Sequence, residues 1–150
     1  MANSLYSPFK QQLLDNGTAI SLTSDTIKAT LIDLADYTFS AAHDEYSGGS
    51  SDVAAAAKVA ESSALGSKTA TNGTFDSADF TWTAVTGDQS EAIILWDDTV
   101  TNDRLVAFYD TGITGMPVTP VGGDIQVTIN ASGWFSLIVP FVLSLLGFTA

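Results

Sequence analysis

The clearest pattern in the chain lies in residues 79–130, where β-branched and aromatic residues alternate with polar ones between clusters of Gly, Asn, Asp and Pro. This pattern predicts consecutive antiparallel strands. Its centre predicts a hairpin with one arm at 91–97 (EAIILWD) and the other at 104–110 (RLVAFYD). Both faces of both arms are apolar, so each arm needs cover from a second sheet or from a neighbouring subunit.

Further strands are predicted on both sides of the hairpin. They lie at 26–33, 59–65, 68–71, 79–85 and 124–130. In strand 79–85 the alternation places Phe80, Trp82 and Ala84 opposite Val85. Asn72-Gly73 predicts a tight hairpin turn, and the Gly- and Pro-rich stretch 112–123 predicts a loop.

The regions before the hairpin predict a helix and a long loop. Ser7 followed by Pro8 favours a helix N-cap and first turn, and Asn16-Gly17 favours a helix stop. A disordered arm is the alternative for this segment. Residues 36–59 contain SGGSSD and four consecutive alanines, so little area is available for burial there. This composition predicts a surface loop with a helical turn near 52–58.

The predicted fold is mainly β, a single domain over residues 1–150. It is an antiparallel β-sandwich or small barrel, jelly-roll-like or immunoglobulin-like, since all fit several short strands. The domain divides into an N-terminal helical arm (1–17), a β core (18–130) and an apolar C-terminal segment (131–150).

The segment 133–150 (GWFSLIVPFVLSLLGFTA) has no charged side chain. It is shorter than the ~20 apolar residues of a membrane-spanning helix and contains Pro140, so an interface is favoured over a membrane anchor. Apolar residues of the N-terminal helix join it in the predicted interface. The predicted interface residues are Phe9, Leu13, Leu14, Trp134, Phe135, Leu137, Ile138, Phe141, Leu145 and Phe148.

Charge excludes some partners. The chain has 17 acidic and 5 basic residues, a net charge of -12, and its basic residues form no cluster. Binding of nucleic acid or of an anionic membrane requires a basic surface, so neither is expected. The chain has no cysteine, which excludes disulfides and thiol chemistry. The N-terminus lacks the pattern of a signal peptide, so synthesis in the cytosol is expected.

Candidate chemistry is sparse, and no catalytic, cofactor-binding or metal residue is predicted. The only histidine, His43, is interpreted as a solvated loop residue rather than a general base. The acids Asp97, Asp98 and Asp103, like Asp33 and Asp36, match no calcium-loop spacing and are interpreted as a solvated rim. The aromatic residues at strand spacing are interpreted as core rather than as a sugar-binding face; they are Phe80, Trp82, Trp96, Phe108 and Tyr109.

Three stretches carry a resemblance to a known family. They are LIDLADYTFSAAHDEYS (31–47), FTWTAVTGDQSEA (80–92) and GMPVTPVGGDIQVTIN (115–130). With the N-terminal LYSPFKQQLLDNG, the chain resembles small β-rich virion structural proteins of tailed bacteriophages, of the head decoration (cement) or minor structural type. The resemblance spans about residues 5–130 and carries no catalytic residues.

The resemblance implies a non-enzymatic role on the capsid exterior. The implied partners are the major capsid protein and further copies of the same chain, as a homotrimer. Such a protein binds the assembled head and bridges capsomers. The alternative is a head-fibre or tail-associated module that binds a host surface through exposed aromatic residues or the 36–59 loop.

Overall fold

The computed structural model describes residues 3–15, 20–48, 51–99 and 101–137. These residues form a mainly β fold with three antiparallel sheets and one short α-helix, which confirms the predicted fold class. The helix is α1 (Ser7–Asp15), and Ala55–Ala57 form a 3₁₀ turn. The strands are β1 (Ser4–Leu5), β2 (Ile27–Ile32), β3 (Lys58–Glu61), β4 (Thr69–Thr71), β5 (Thr74–Asp76), β6 (Phe80–Thr86), β7 (Ala92–Asp97), β8 (Arg104–Tyr109), β9 (Val121–Val127) and β10 (Phe135–Ser136).

The largest sheet has the strand order β1-β8-β7-β2-β3. The predicted central hairpin is confirmed, since β7 pairs with β8 in a register that sets Ile94 opposite Phe108. Every residue of β7 is buried. The chain therefore covers both faces of this strand by itself, without a neighbouring subunit.

A loop, rather than a second sheet, buries part of the central sheet. Residues 36–59 are predicted to bury little area, and this prediction is wrong at four positions: Tyr37, Tyr46, Val53 and Ala57 are all buried. The Tyr46 ring stacks on Trp96 with 3.9 Å between ring centroids. Phe39 stacks in the same way on Phe108 at 4.5 Å. Aromatic residues spaced along an irregular segment thus pack on the central sheet.

The same loop is fastened to the β7–β8 hairpin. Arg104 forms an ion pair with Asp44, and the backbone N–H of Tyr46 donates to the carbonyl of Asp103 at 2.6 Å. Within the loop, one carboxylate oxygen of Asp52 accepts the N–H groups of Asp44 and Glu45 at 2.6 and 3.0 Å. Its path is therefore fixed by specific contacts.

β6 and β9 form a two-stranded sheet whose regular alternation is interrupted. Trp82 pairs with Ile125 but Val85 pairs with Gly123, which leaves one extra residue on β6. Ala84 absorbs this bulge at φ 50°, and its N–H donates to Asp124 at 2.8 Å. Val85 is consequently buried together with Trp82, contrary to the predicted opposite faces. β9 also begins at Val121, inside the stretch predicted as loop.

The third sheet has the order β10-β5-β4. The predicted Asn72-Gly73 turn is confirmed between β4 and β5, with both residues at positive φ, 51° and 77°. β10 pairs along the other edge of β5, and Phe135 lies opposite Phe75. The chain beyond residue 133 thus begins as a strand of this sheet.

Candidate functional site

The structure brings the two predicted interface segments together. Phe9 of α1 and Phe135 of β10 lie far apart in sequence, yet their rings meet edge to face at 6.3 Å. Phe9 is only 1% exposed. It is therefore a core residue that joins the helix to the C-terminal strand, and its placement in an interface is corrected. The helical segment is packed onto the body rather than extended as an arm.

Three apolar side chains on these elements remain exposed. Among the described residues, the exposed large hydrophobic side chains are Leu13, Leu14, Val121 and Leu137. Leu13 lies one helical turn after Phe9 on the same helix face. Leu137 directly follows β10, and its N–H donates to the carbonyl of Gly73 at 2.7 Å. Leu14 is the most exposed of these three at 80%. We call Leu13, Leu14 and Leu137 the terminal patch.

The remaining predicted interface residues divide into two groups. Trp134 and Phe135 are half-buried in their own chain. The indole N–H of Trp134 donates to Ser77 at 2.8 Å, and its carbonyl accepts the Tyr109 hydroxyl at 3.0 Å. Trp134 therefore makes these contacts within its own chain rather than with a partner. The other group, Ile138, Phe141, Leu145 and Phe148, lies outside the described residues.

A cleft of about 510 Å³ lies between the β6–β9 sheet and the loop 111–118. One wall is the continuous run 125–130, and aromatic side chains of Trp82, Tyr109 and Trp134 contribute to the lining. The described lining residues include no Asp, Glu, Lys or Arg. The cleft is therefore suited to an uncharged and largely apolar occupant.

Sequence reasoning missed this cleft. Trp82 is a buried core residue, as predicted, and it also lines the cleft. Tyr109, likewise interpreted as core, is half-buried and lines the cleft as well. Trp96 and Phe108 are fully interior, as predicted. The signal available in the sequence was the run of Gly, Thr and Pro at 111–120, but only the fold sets that loop opposite β9.

His43 is not the solvated residue that was predicted. It is half-buried, and its Nδ1 lies 3.0 Å from the Tyr37 hydroxyl. That hydroxyl is in turn 2.9 Å from the hydroxyl of Tyr6. Burial raises the pKa of Tyr37 to about 12 and raises the pKa of Tyr6 further. Both phenols therefore stay protonated at neutral pH. The hydrogen bonds from His43 through Tyr37 to Tyr6 connect the loop to the residue that precedes α1.

A second buried polar group centres on Tyr46. Its hydroxyl donates to Glu61 at 2.5 Å and lies 2.9 Å from the Thr30 hydroxyl. The Lys58 ammonium lies 3.8 Å from the centroid of the same ring. Burial lowers the pKa of Lys58, against the Glu61 carboxylate, which raises it. This cluster ties the 33–54 loop to β2 and β3, and its members are engaged with one another.

Two acids of the predicted rim have side-chain partners. Asp98 pairs with Lys28 at 2.5 Å, and Asp103 accepts a hydrogen bond from Ser47. Asp97 and Asp33 depart from the prediction because both are buried. Within the described ranges, no group of three or more His, Cys, Asp or Glu side chains is arranged to hold a metal ion.

Comparison with known proteins identifies no relative. No protein-family model matches the chain, and no curated protein matches it. In the part of the chain that the structure describes, no helix is long and apolar enough to cross a membrane.

Proposed function

We propose that this chain is a non-enzymatic virion structural protein, a capsid decoration subunit that binds the assembled head and associates with copies of itself. One observation carries the proposal. Three of the four exposed large hydrophobic side chains among the described residues form the terminal patch, on two elements joined by the Phe9–Phe135 contact. Exposed apolar groups concentrated on adjoining elements favour a protein–protein contact.

The body of the protein supports this role. Its central sheet is covered by its own loop and helix, so the fold does not depend on a partner for its core. A net charge of -12 keeps a free subunit soluble and disfavours unspecific association. Binding the assembled shell but not its separated subunits would stabilise the shell by mass action. The proposed trimer would present three terminal patches to the shell.

The test compares the full chain with a variant ending at Leu137. The measurements are solution mass and binding to shells assembled from the cognate major capsid protein without decoration. We expect the full chain to form a trimer that coats shells, and the shortened chain to lose one of these properties. A matched control, Val121→Ser, changes an exposed apolar residue outside the patch, and should retain both.

Two outcomes contradict the proposal. One is a full-length monomer that ignores shells, and the other is coating that survives both the truncation and Leu14→Asp. The first outcome would favour a host-surface binding module. The 36–59 loop would then be the first surface to examine, because its contacts with Arg104 and Asp103 attach it to the β7–β8 hairpin.

A further inference from the structure

Strand β9 has one edge without a strand partner. It pairs with β6 in a two-stranded sheet, and no other strand joins it within the described residues. The outward N–H and C=O groups of such an edge can accept an additional strand.

The cleft lies beside β9. Residues 125–130 line it; the first three belong to β9 and the last three follow directly after it. Both alternating sides of the strand therefore contribute to one wall. Lining of this kind is expected where a strand presents its edge. Ile125 and Val127 are only half-buried there. The wall therefore offers backbone hydrogen-bonding groups together with incompletely covered apolar side chains.

The lining selects the chemistry of the occupant. None of the described lining residues is charged, and neutral polar side chains such as Gln126 and Thr128 alternate with the apolar ones. Trp82 is 3% exposed, and its indole N–H has no hydrogen-bond partner among the described residues. A buried donor of this kind is costly to leave unpaired. An extended uncharged peptide supplies both carbonyl acceptors and apolar side chains.

Residues 138–150 (IVPFVLSLLGFTA) have the required composition. They contain no charged side chain, and Pro140 is their only proline. The part after Pro140 can therefore donate all its backbone N–H groups. The three β9 residues of the wall, 125–127, span about 10 Å at the ~3.3 Å rise of a strand. The segment is long enough to pair along all three.

We propose that residues 138–150 of a second copy of this chain occupy the cleft as a strand added to β9. The proposal rests on the self-association proposed above and specifies its contact. It assigns the segment to a second copy because of the direction of β10. From Trp134 in the cleft lining, the chain runs along β5 to Leu137, whose N–H donates to Gly73 at 2.7 Å. The chain is therefore directed away from its own cleft at Leu137. Its following residues would have to reverse direction to enter that cleft, whereas the segment of a neighbouring copy would not.

Such a contact is head-to-tail. Each copy would donate its C-terminal segment to the next and receive one from the previous copy. Contacts of this type close into a ring when the rotation between copies permits, and a ring of three matches the trimer proposed for this chain.

The absence of cysteine makes the proposal directly testable. The double variant Thr128→Cys/Ser144→Cys places one thiol beside the cleft and one in the segment. Mild oxidation of the purified protein, without shells, should give covalent dimers and trimers on a non-reducing gel. The control Thr69→Cys/Ser144→Cys moves the first thiol to an exposed residue of β4. Crosslinking of the first pair should be about tenfold faster or more, since docking raises the effective thiol concentration.

A second readout does not depend on introduced thiols. In Trp96→Phe, the remaining tryptophans Trp82 and Trp134 both line the cleft. Shortening this variant to residue 137 should shift its emission to longer wavelength, because an emptied cleft admits water. The same truncation in Trp82→Phe/Trp134→Phe, which keeps only Trp96, should leave the emission unchanged.

Three results overturn the proposal. They are an intrachain disulfide as the only product, equal crosslinking in the control pair, and a cleft emission that truncation does not alter. If the natural occupant of the cleft were an uncharged small molecule, the two pairs would crosslink equally and truncation would not alter the emission. Since no shell is present, these results are independent of capsid binding: crosslinked trimers that ignore shells would refute only the decoration role.

Discussion

Thr30 shows how much a single buried hydroxyl contributes to this fold. It lies on β2 with no exposed surface. Its oxygen accepts the indole N–H of Trp96 at 2.9 Å and lies at the same distance from the Tyr46 hydroxyl. One hydroxyl thus satisfies groups on the central sheet and on the 33–54 loop. In the sequence, Thr30 looks like any β-branched strand residue.

Thr30→Val should therefore be strongly destabilising despite its nearly equal volume. It leaves the buried Trp96 N–H without a partner, which costs about 1–3 kcal/mol. It also removes one of the two partners of the Tyr46 hydroxyl, which keeps its bond to Glu61. We expect the free energy of unfolding in urea to fall by about 2–4 kcal/mol. Thr81→Val, on the exposed face of β6, is the control and should change it by less than about 0.5 kcal/mol. Equal effects would contradict this role for Thr30.

Asp97 is predicted to reduce stability at neutral pH. Burial raises the pKa of its carboxyl; hydrogen bonds from Thr99 lower it, and the Asp25 carboxylate raises it again. The folded state thus binds the Asp97 proton more tightly than the unfolded chain. This contribution is favourable below the ordinary pKa of 3.8 and is lost as pH rises through the raised value.

Asp97→Asn should consequently raise the melting temperature at pH 7, and the gain should shrink toward pH 3. A gain of ~1 kcal/mol corresponds to about 2–4 °C for a chain of this size. Asp98→Asn is the control, because it removes the surface pair with Lys28 and should be neutral or slightly destabilising. Thermal melts of both variants across this pH range provide the measurement. An Asp97→Asn variant less stable than the parent at pH 7 would refute the argument.

At the scale of elements, β10 depends on the backbone geometry of Gly133. This residue has φ +69°, and a Cβ placed there would lie 2.4 Å from the carbonyl oxygen of Phe75. Glycine alone allows β10 to approach β5 so closely. The sequence marks this residue only as the start of the apolar segment. Its role follows from the pairing of two strands about 60 residues apart.

Gly133→Ala should displace β10 from β5. Backbone strain of this kind costs about 1–3 kcal/mol, and we expect the melting temperature to fall accordingly. Amide hydrogens of Trp134 and Leu137, which donate to Phe75 and Gly73, should exchange faster. Gly123→Ala is the matched control, because it meets no atom within 4 Å and lacks a positive φ. Unchanged exchange at Trp134 in Gly133→Ala would contradict the prediction.

At the scale of the whole molecule, the first residues of the apolar C-terminal segment pack against the β core, although the composition of the segment suggests an interface. Trp134 stacks on Phe80 with 6.2 Å between centroids, and Phe135 meets Phe75 and Phe9. The packed part of the chain therefore includes Trp134 and Phe135 of the apolar C-terminal segment.

Two truncations should separate the body from the segment. A chain ending at Leu137 keeps these aromatic contacts, and we expect it to unfold cooperatively. A chain ending at Gly133 loses the partly buried Trp134 and Phe135, which should cost about 2–4 kcal/mol beyond the first truncation. Urea unfolding of the two chains measures the difference. Equal stability would mean that β10 does not contribute to the folded body.

The sequence by itself determined the mainly β class, the β7–β8 hairpin, the helix at Ser7–Asp15 and the Asn72-Gly73 turn. These follow from side-chain periodicity and backbone preferences, which act over a few neighbouring residues. Only the tertiary structure decided the burial of Tyr37 and Tyr46, the bulge at Ala84, the meeting of Phe9 with Phe135 and the cleft beside β9. Each of these depends on contacts between residues distant in sequence, and local periodicity carries no information about which distant segment supplies the partner.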